Sequence, residues 1–284
     1  MQPEPKTSLG DSALLATLTF VVAAVVAVGA ALSVAIVGAI LATLRGVPAA
    51  EIEAHLSGYG ATLVTILVSQ AAMLGVAVGA WKLTGAPFRT RLGLVAPRVT
   101  KTEGVILLVA GGVPAALSLL AASVPPSMGD GAAIEAIWNN LPVLPAILWI
   151  LTIGLLPGTV EELLFRGMIQ RGFMRRLSPV AAILLTSFLF ALMHIDPPSM
   201  ALALVLGLWL GVLAWRTESI VLPMLTHILV NSGWNAGQFV VRQTEMETNH
   251  VLIAVGVIGA VSLVAFVLAI GILRRAGAVP SART

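Results

Sequence analysis

The chain has 284 residues, 58% of them hydrophobic and only 10% charged, against roughly 25% charged in ordinary soluble domains. A soluble fold of this length has no interior large enough for so much apolar surface, so water-soluble classes are excluded. The absence of cysteine excludes a thiol nucleophile, a thiolate metal site and any disulfide. The net charge of +3 rests on a few arginines between apolar stretches, a pattern of membrane orientation and not of nucleic-acid binding.

A short polar lead containing Lys6 is followed by apolar sequence from Ala13 to Leu44. That stretch exceeds the roughly 7–15 apolar residues of a signal peptide, so a retained first span is expected. A hydrocarbon core needs about 20 apolar residues per helix. Eight segments qualify, some with relaxed boundaries: 13–44, 58–81, 104–123, 142–165, 179–194, 199–215, 219–241 and 250–273. The fifth and sixth are short, with a tight Pro197-Pro198 turn between them. Backbone polar groups in lipid must pair within the segment, so the spans are helices. The expected fold is therefore all-α: a polytopic membrane protein and one transmembrane domain of about eight helices. Within it, 13–123 reads as a three-span scaffold part, 142–241 as the working core and 250–273 as the last span. Leu83 to Thr102 reads as a basic loop lying on the lipid surface, and Val124 to Asn140 as a loop on the opposite side.

The loops test this count. With eight spans and a cytoplasmic N-terminus, the inside loops hold Lys6, the 82–101 cluster, Arg166, Arg171, Arg175, Arg176, Arg216 and the arginines after 273. That is 14 of the 16 basic residues, leaving Arg45 and Arg242 outside. The positive-inside rule predicts this asymmetry, and both termini then face the cytoplasm.

Ionisable groups inside spans are costly and mark function by default. They concentrate in the second half of the chain. Glu161, Glu162 and Arg166 lie near the inner end of the fourth span, His194 ends the fifth, and His227 and Asn231 sit within the seventh. Residues four apart share a helix face, so Glu162 meets Arg166, while Glu161 points about 100° away. At about 1.5 Å per residue, Glu161 lies roughly 21 Å from Arg175, His194 roughly 27 Å from Arg176 and His227 roughly 16 Å from Arg216. These depths overlap, so a carboxylate, two imidazoles and an amide can meet inside the bilayer. Such a set suits peptide hydrolysis by water: a carboxylate takes the proton, one imidazole holds the water, and the other imidazole and the amide donate to the oxyanion. Each residue also has a plainer reading. Glu162 with Arg166 serves as a structural ion pair, His194 as a helix terminus, and Asn231 as a bond between helices. Gly207 and Gly211 read as a small-xxx-small packing pair.

The run Glu161-Glu162-Leu163-Leu164-Phe165-Arg166 is similar to the EExxxR motif of the CAAX-protease and bacteriocin-processing family of membrane proteases. Phe190 to His194 resembles that family's FxxxH, and His227 to Asn231 its HxxxN. All three stand in the family's order on separate predicted helices, over roughly residues 142–241. The resemblance implies an intramembrane endopeptidase acting on a membrane-anchored or lipidated peptide in a bacterial or archaeal plasma membrane. It implies that Glu161 and His194 activate water, that His227 and Asn231 form the oxyanion hole, and that Glu162 and Arg166 support the site or meet the substrate. No cofactor is expected, because asparagine is better suited to donating a hydrogen bond than to binding metal. Were zinc used, its ligands would be Glu161, His194 and His227. The branches of the family cleave prenylated proteins, process other peptides or act in immunity, and the motifs do not choose among them.

Rival chemistries fit less well. There is no HExxH, and Val230-Asn231-Ser232-Gly233 lacks the first glycine of a rhomboid GxSG. A proton-coupled transporter, with Glu161, His194 and His227 as its relay, is the competing class, but no repeat is visible. A catalytically idle immunity or scaffold member of the same family is a third.

Overall fold

The computed structural model describes residues 13–52, 56–123, 141–244 and 247–276. The loop expected at 124–140, together with Lys6 and Arg283, lies outside the described residues. All eight expected spans are helical. Helices α1 (Ala13–Leu44) and α2 (Tyr59–Thr84) are followed by the short α3 (Phe88–Leu92). The third span is α4 (Lys101–Ala110) and α5 (Gly112–Ala122), interrupted at Gly111. The fourth runs through α6 (Val143–Glu162), a π-helical segment (Leu163–Gln170) and the single turn α7 (Arg171–Phe173). Then come α8 (Pro179–Leu192), α9 (Pro197–Thr217), α10 (Val221–Thr244) and α11 (Thr248–Ala276). Described strands are absent. The protein is an all-α polytopic membrane protein.

Six of these helices are long and apolar enough to cross a membrane. The other two expected spans fall short for different reasons. The 14-residue α8 is about 21 Å long at 1.5 Å per residue, against a hydrocarbon core of about 30 Å. α10 has the length, but His227, Asn231, Ser232, Asn235 and Gln238 make it too polar for a free-standing span. Both are held by neighbours: α8 packs on α9, and α10 on α6. The lipid side shows in α1 and α11, where valine and leucine are exposed all along the helices. Only a lipid solvent makes such a surface stable.

Local sequence explains where the helices start and stop. Gly85, in the left-handed region at φ 65°, ends α2. Thr100 and Glu103 form a reciprocal capping box on α4. Ser178 caps α8 and Asp196 caps α9, each followed by proline in the first turn. The basic loops gather at one end. Ile220 N–H donates to the Gly93 carbonyl at 2.9 Å and Arg98 N–H to that of Thr217 at 3.0 Å. Arg171 Nη2 donates to the Glu218 carbonyl at 2.8 Å, and Arg275 pairs with Glu103 at 3.2 Å. Within the basic 83–102 segment, the end of α3 turns inward. Its Leu92 is buried with Leu15, Ala80, Leu163, Met168 and Ile220, because a leucine within reach of that apolar cluster is better placed there than at the interface.

The fourth span and α9 form the centre. The fourth span touches α1, α2, α3, α8, α9 and α10, while α9 also meets α4–α5 through α5, and α11. Glycines on the fourth span and α9 allow close approaches there. A Cβ on Gly211 would stand 2.9 Å from Ile183 Cγ2, and one on Gly207 3.2 Å from the Phe190 ring. A Cβ on Gly158 would stand 2.9 Å from the backbone nitrogen of Ile228, where only movement of a whole helix gives room. Gly158→Ala should therefore destabilise the protein by about 1–3 kcal/mol. Gly75→Ala, which meets open space, should leave thermal unfolding in detergent nearly unchanged or slightly raised.

Candidate active site

Glu162 is fully buried, and its Oε1 accepts two hydrogen bonds: from Arg166 Nη1 at 2.8 Å and from His227 Nδ1 at 2.9 Å. The first is the pair that four-residue spacing predicts. The second crosses from the fourth span to α10. Arg166, also fully buried, passes the connection on by donating from Nη2 to the Gly207 carbonyl on α9 at 3.0 Å. One turn later Gln170 repeats that bond, donating to the Gly211 carbonyl at 3.0 Å. Two side chains four apart thus bond two carbonyls four apart, which fixes the register of two neighbouring helices. These residues lie in the π-helical segment, a wider helix type often found where function has displaced regular geometry.

Glu161 faces another direction, as the 100° step requires. Its Oε1 accepts from Gln70 Nε2 on α2 at 2.8 Å. Gln70 is a site-adjacent residue that the sequence reading passed over when it treated spans one to three as scaffold. The available signal was a lone amide within an apolar helix, where a polar side chain usually has a partner.

His194 lies just beyond α8. Its Nδ1 is 2.9 Å from the Phe190 carbonyl; a carbonyl only accepts, so Nδ1 carries the proton and Nε2 of the neutral ring is an acceptor. Phe190 is the common neighbour of the site. Its ring centroid is 5.0 Å from that of His194, 5.9 Å from that of His227 and 4.6 Å from the Arg166 guanidinium carbon. The residue after His194 is strained: Ile195 has φ 59°, a region that costs a β-branched side chain dearly. The turn that carries the histidine is therefore held there by the surrounding structure.

Asn231 has a local explanation of its own. Pro157 has no N–H, so the Ile153 carbonyl four residues earlier loses its helical donor. Asn231 Nδ2 supplies one from α10 at 3.3 Å. Gly154 and Gly158 let α10 approach closely enough for this. An amide nitrogen carries two hydrogens, and this bond uses one.

The structure thus brings Glu162, Arg166 and His227 into one bonded group, with His194 against the same phenylalanine. Glu161 and Asn231 bond to Gln70 and Ile153 respectively, and no direct hydrogen bond links Glu161 to either imidazole. Among the described residues, no three His, Cys, Asp or Glu side chains come together to hold a metal ion.

Residues 143–233 match the family described as type II CAAX prenyl endopeptidase Rce1-like. This segment is similar to the CAAX-protease family. The Rce1-like segment is about a third of the chain and includes both glutamates, Arg166, both histidines and Asn231. No curated protein and no solved structure matches the chain. The match thus covers the part of the chain that holds the candidate site.

The proline–asparagine relation is open to a double-mutant cycle. Asn231→Ala should cost about 1 kcal/mol where Pro157 leaves Ile153 without a donor. It should cost less in a Pro157→Ala background, where the helix regains its own bond. Equal losses in thermal unfolding would sink the assignment.

Proposed function

We propose that the protein hydrolyses a peptide bond in a membrane-anchored or lipidated substrate, with Glu161 as the general base. The observation that carries this reading is the unequal engagement of the adjacent glutamates. Glu162 is hydrogen-bonded by a guanidinium and an imidazole, whereas Glu161 accepts a hydrogen bond from the neutral amide of Gln70.

In this mechanism Glu161 removes a proton from a water whose other hydrogen is accepted by His194 Nε2. The water oxygen attacks the scissile carbonyl carbon, and the carbonyl electron pair moves onto oxygen. His227, with Nδ1 fixed on Glu162, donates from Nε2 of its imidazolium to that oxyanion, and Asn231 donates its second amide hydrogen. The tetrahedral intermediate collapses, the carbon–nitrogen bond breaks, and Glu161 returns its proton to the leaving amine. Arg166 and Glu162 are positioning residues here, and Gln70 orients the base. The basic end of the bundle faces the cytoplasm in this reading, following the positive-inside asymmetry. Substrate enters from that face or laterally from lipid.

Glu161→Gln should lower cleavage of a lipidated peptide by about a thousandfold, with the melting temperature in detergent preserved. Full activity in that variant would sink the mechanism. Gln70→Ala should lower kcat by about ten- to a hundredfold, with KM little changed and partial rescue by Gln70→Asn. Activity should survive chelation; loss that only zinc restores would overturn hydrolysis by Glu161 alone. If proton-driven uptake replaced cleavage in the same preparation, the transporter class would take its place.

A further inference from the structure

The basic end of the bundle holds a cavity of about 380 Å³. Its lining runs from Trp215, Arg216 and Glu218 near the loops to Gln170 and Arg166 within the fourth span. Gln170 and Arg166 are almost wholly buried, so the cavity ends on them. Each leaves a polar atom without a hydrogen-bond partner among the described residues: Gln170 Oε1 and Arg166 Nε. One turn further in, Glu162 does the same with Oε2. Across the interface on α8, the buried Ser187 hydroxyl is a fourth such group. Ser187 Cβ and Arg166 Nη2 each stand 3.3 Å from the point a Gly207 Cβ would occupy, so the serine faces the guanidinium. The other polar atoms of these side chains hold the helices together. Gln170 and Arg166 donate to carbonyls of α9, and Glu162 accepts from Arg166 and from His227. A polar strip thus leads from the cavity floor to the candidate site, and each residue on it has bonding capacity to spare.

We propose that this strip conducts water from the basic face to Glu162 and His227. Groups one turn apart on a helix stand about 5–6 Å from each other, which two hydrogen bonds of about 2.8 Å through a single water span. Along the strip the unpartnered atoms alternate as acceptor, donor and acceptor (Gln170 Oε1, Arg166 Nε and Glu162 Oε2). Water serves both kinds, because it donates and accepts. A cation in the same place would meet the Arg166 guanidinium, and an anion the Glu162 carboxylate, so a neutral ligand is selected. The hydrocarbon core supplies almost no water, yet hydrolysis consumes a molecule of it for each bond cut. The reaction proposed above therefore requires a route from an aqueous face. That purpose rests on the protease reading; the wetting of the strip does not.

The test is X-ray radiolytic labelling of the full chain in maltoside micelles, mixed into water enriched in heavy oxygen milliseconds before the pulse and read by mass spectrometry. The reporter is Phe190, whose buried ring is centred 4.6 Å from the Arg166 guanidinium carbon. That ring should gain heavy oxygen. Met168, buried among Leu92, Leu163 and Ile220, should gain little, although methionine oxidises readily. Gln170→Leu should lower the Phe190 label about fivefold and leave that of Met174, on the cavity wall, as in the parent. In a cleavage assay the same variant should lower kcat with KM little changed, as expected when the supply of water and not substrate binding is impaired. Should Gln170→Leu fail to fold, Ser187→Ala takes its place with the same direction expected. A parent in which Met174 is labelled and Phe190 is spared overturns the path, as does equal labelling of Met168 and Phe190. Unchanged Phe190 labelling in the variant also overturns it, since water would then arrive from the far end or from the side. An unchanged kcat there removes the strip from the reaction. The label reads water and not cleavage, so a chain that is labelled as expected but cuts no peptide keeps the path and loses the protease reading.

Discussion

A carboxylate buried in a membrane protein has no water to turn to, and Glu162 is fully buried. It is held by a guanidinium four residues along its own helix and by an imidazole from α10, both on one oxygen. Removing either partner would leave charge stranded at low dielectric, a loss of roughly 3–5 kcal/mol for buried pairs of this kind. The arginine in turn occupies the Gly207 carbonyl. One anion therefore specifies the relative placement of the fourth span, α9 and α10. The small residues follow from it: a guanidinium reaches a backbone carbonyl across a helix interface only where the facing residue has no side chain to intervene.

The same constraint explains the pairing of α6 with α10. Proline in a membrane helix releases a carbonyl that lipid cannot satisfy. The Ile153 carbonyl, freed by Pro157, is met by Asn231, and the Trp149 indole donates to Asn235 Oδ1 at 3.0 Å. The polar face that makes α10 a poor span by itself is what α6 requires from a neighbour. Helix break and polar helix are two halves of one arrangement, and His227 is carried into place by it.

Much of this was legible in the residues. Run length and hydropathy located all eight helices, and the asymmetry of basic residues grouped the loops that meet at one end. The Glu162–Arg166 pair followed from spacing four, and the divergence of Glu161 from the 100° step. What spacing does not encode is contact between distant segments. Gln70 is one polar residue in an apolar helix, and nothing local says that it faces Glu161 rather than another span. The bond between Glu162 and His227 joins residues 65 apart, and the π-helical turn that intervenes shifts helix faces in a way a regular period does not reproduce. Leu92 reads as part of a basic interfacial loop until the cluster around Leu163 and Met168 is seen to receive it.

Two adjacent glutamates in one membrane helix are costly, and their different surroundings give a reason to keep both. A carboxylate bonded by both a guanidinium and an imidazole orients what it bonds. Glu162 is in that position, and the imidazole it orients belongs to the proposed oxyanion site. A carboxylate bonded by an amide is oriented from a different side, by a different helix. Glu161 is in that position, through Gln70, and is less deeply buried than its neighbour. Because successive residues on a helix diverge by about 100°, the two cannot exchange environments. Moving the second glutamate elsewhere on the helix would alter its relation to both Arg166 and His227. The doubled acid thus lets one helix present two carboxylates to different partners, one bonded to Arg166 and His227 and the other to Gln70.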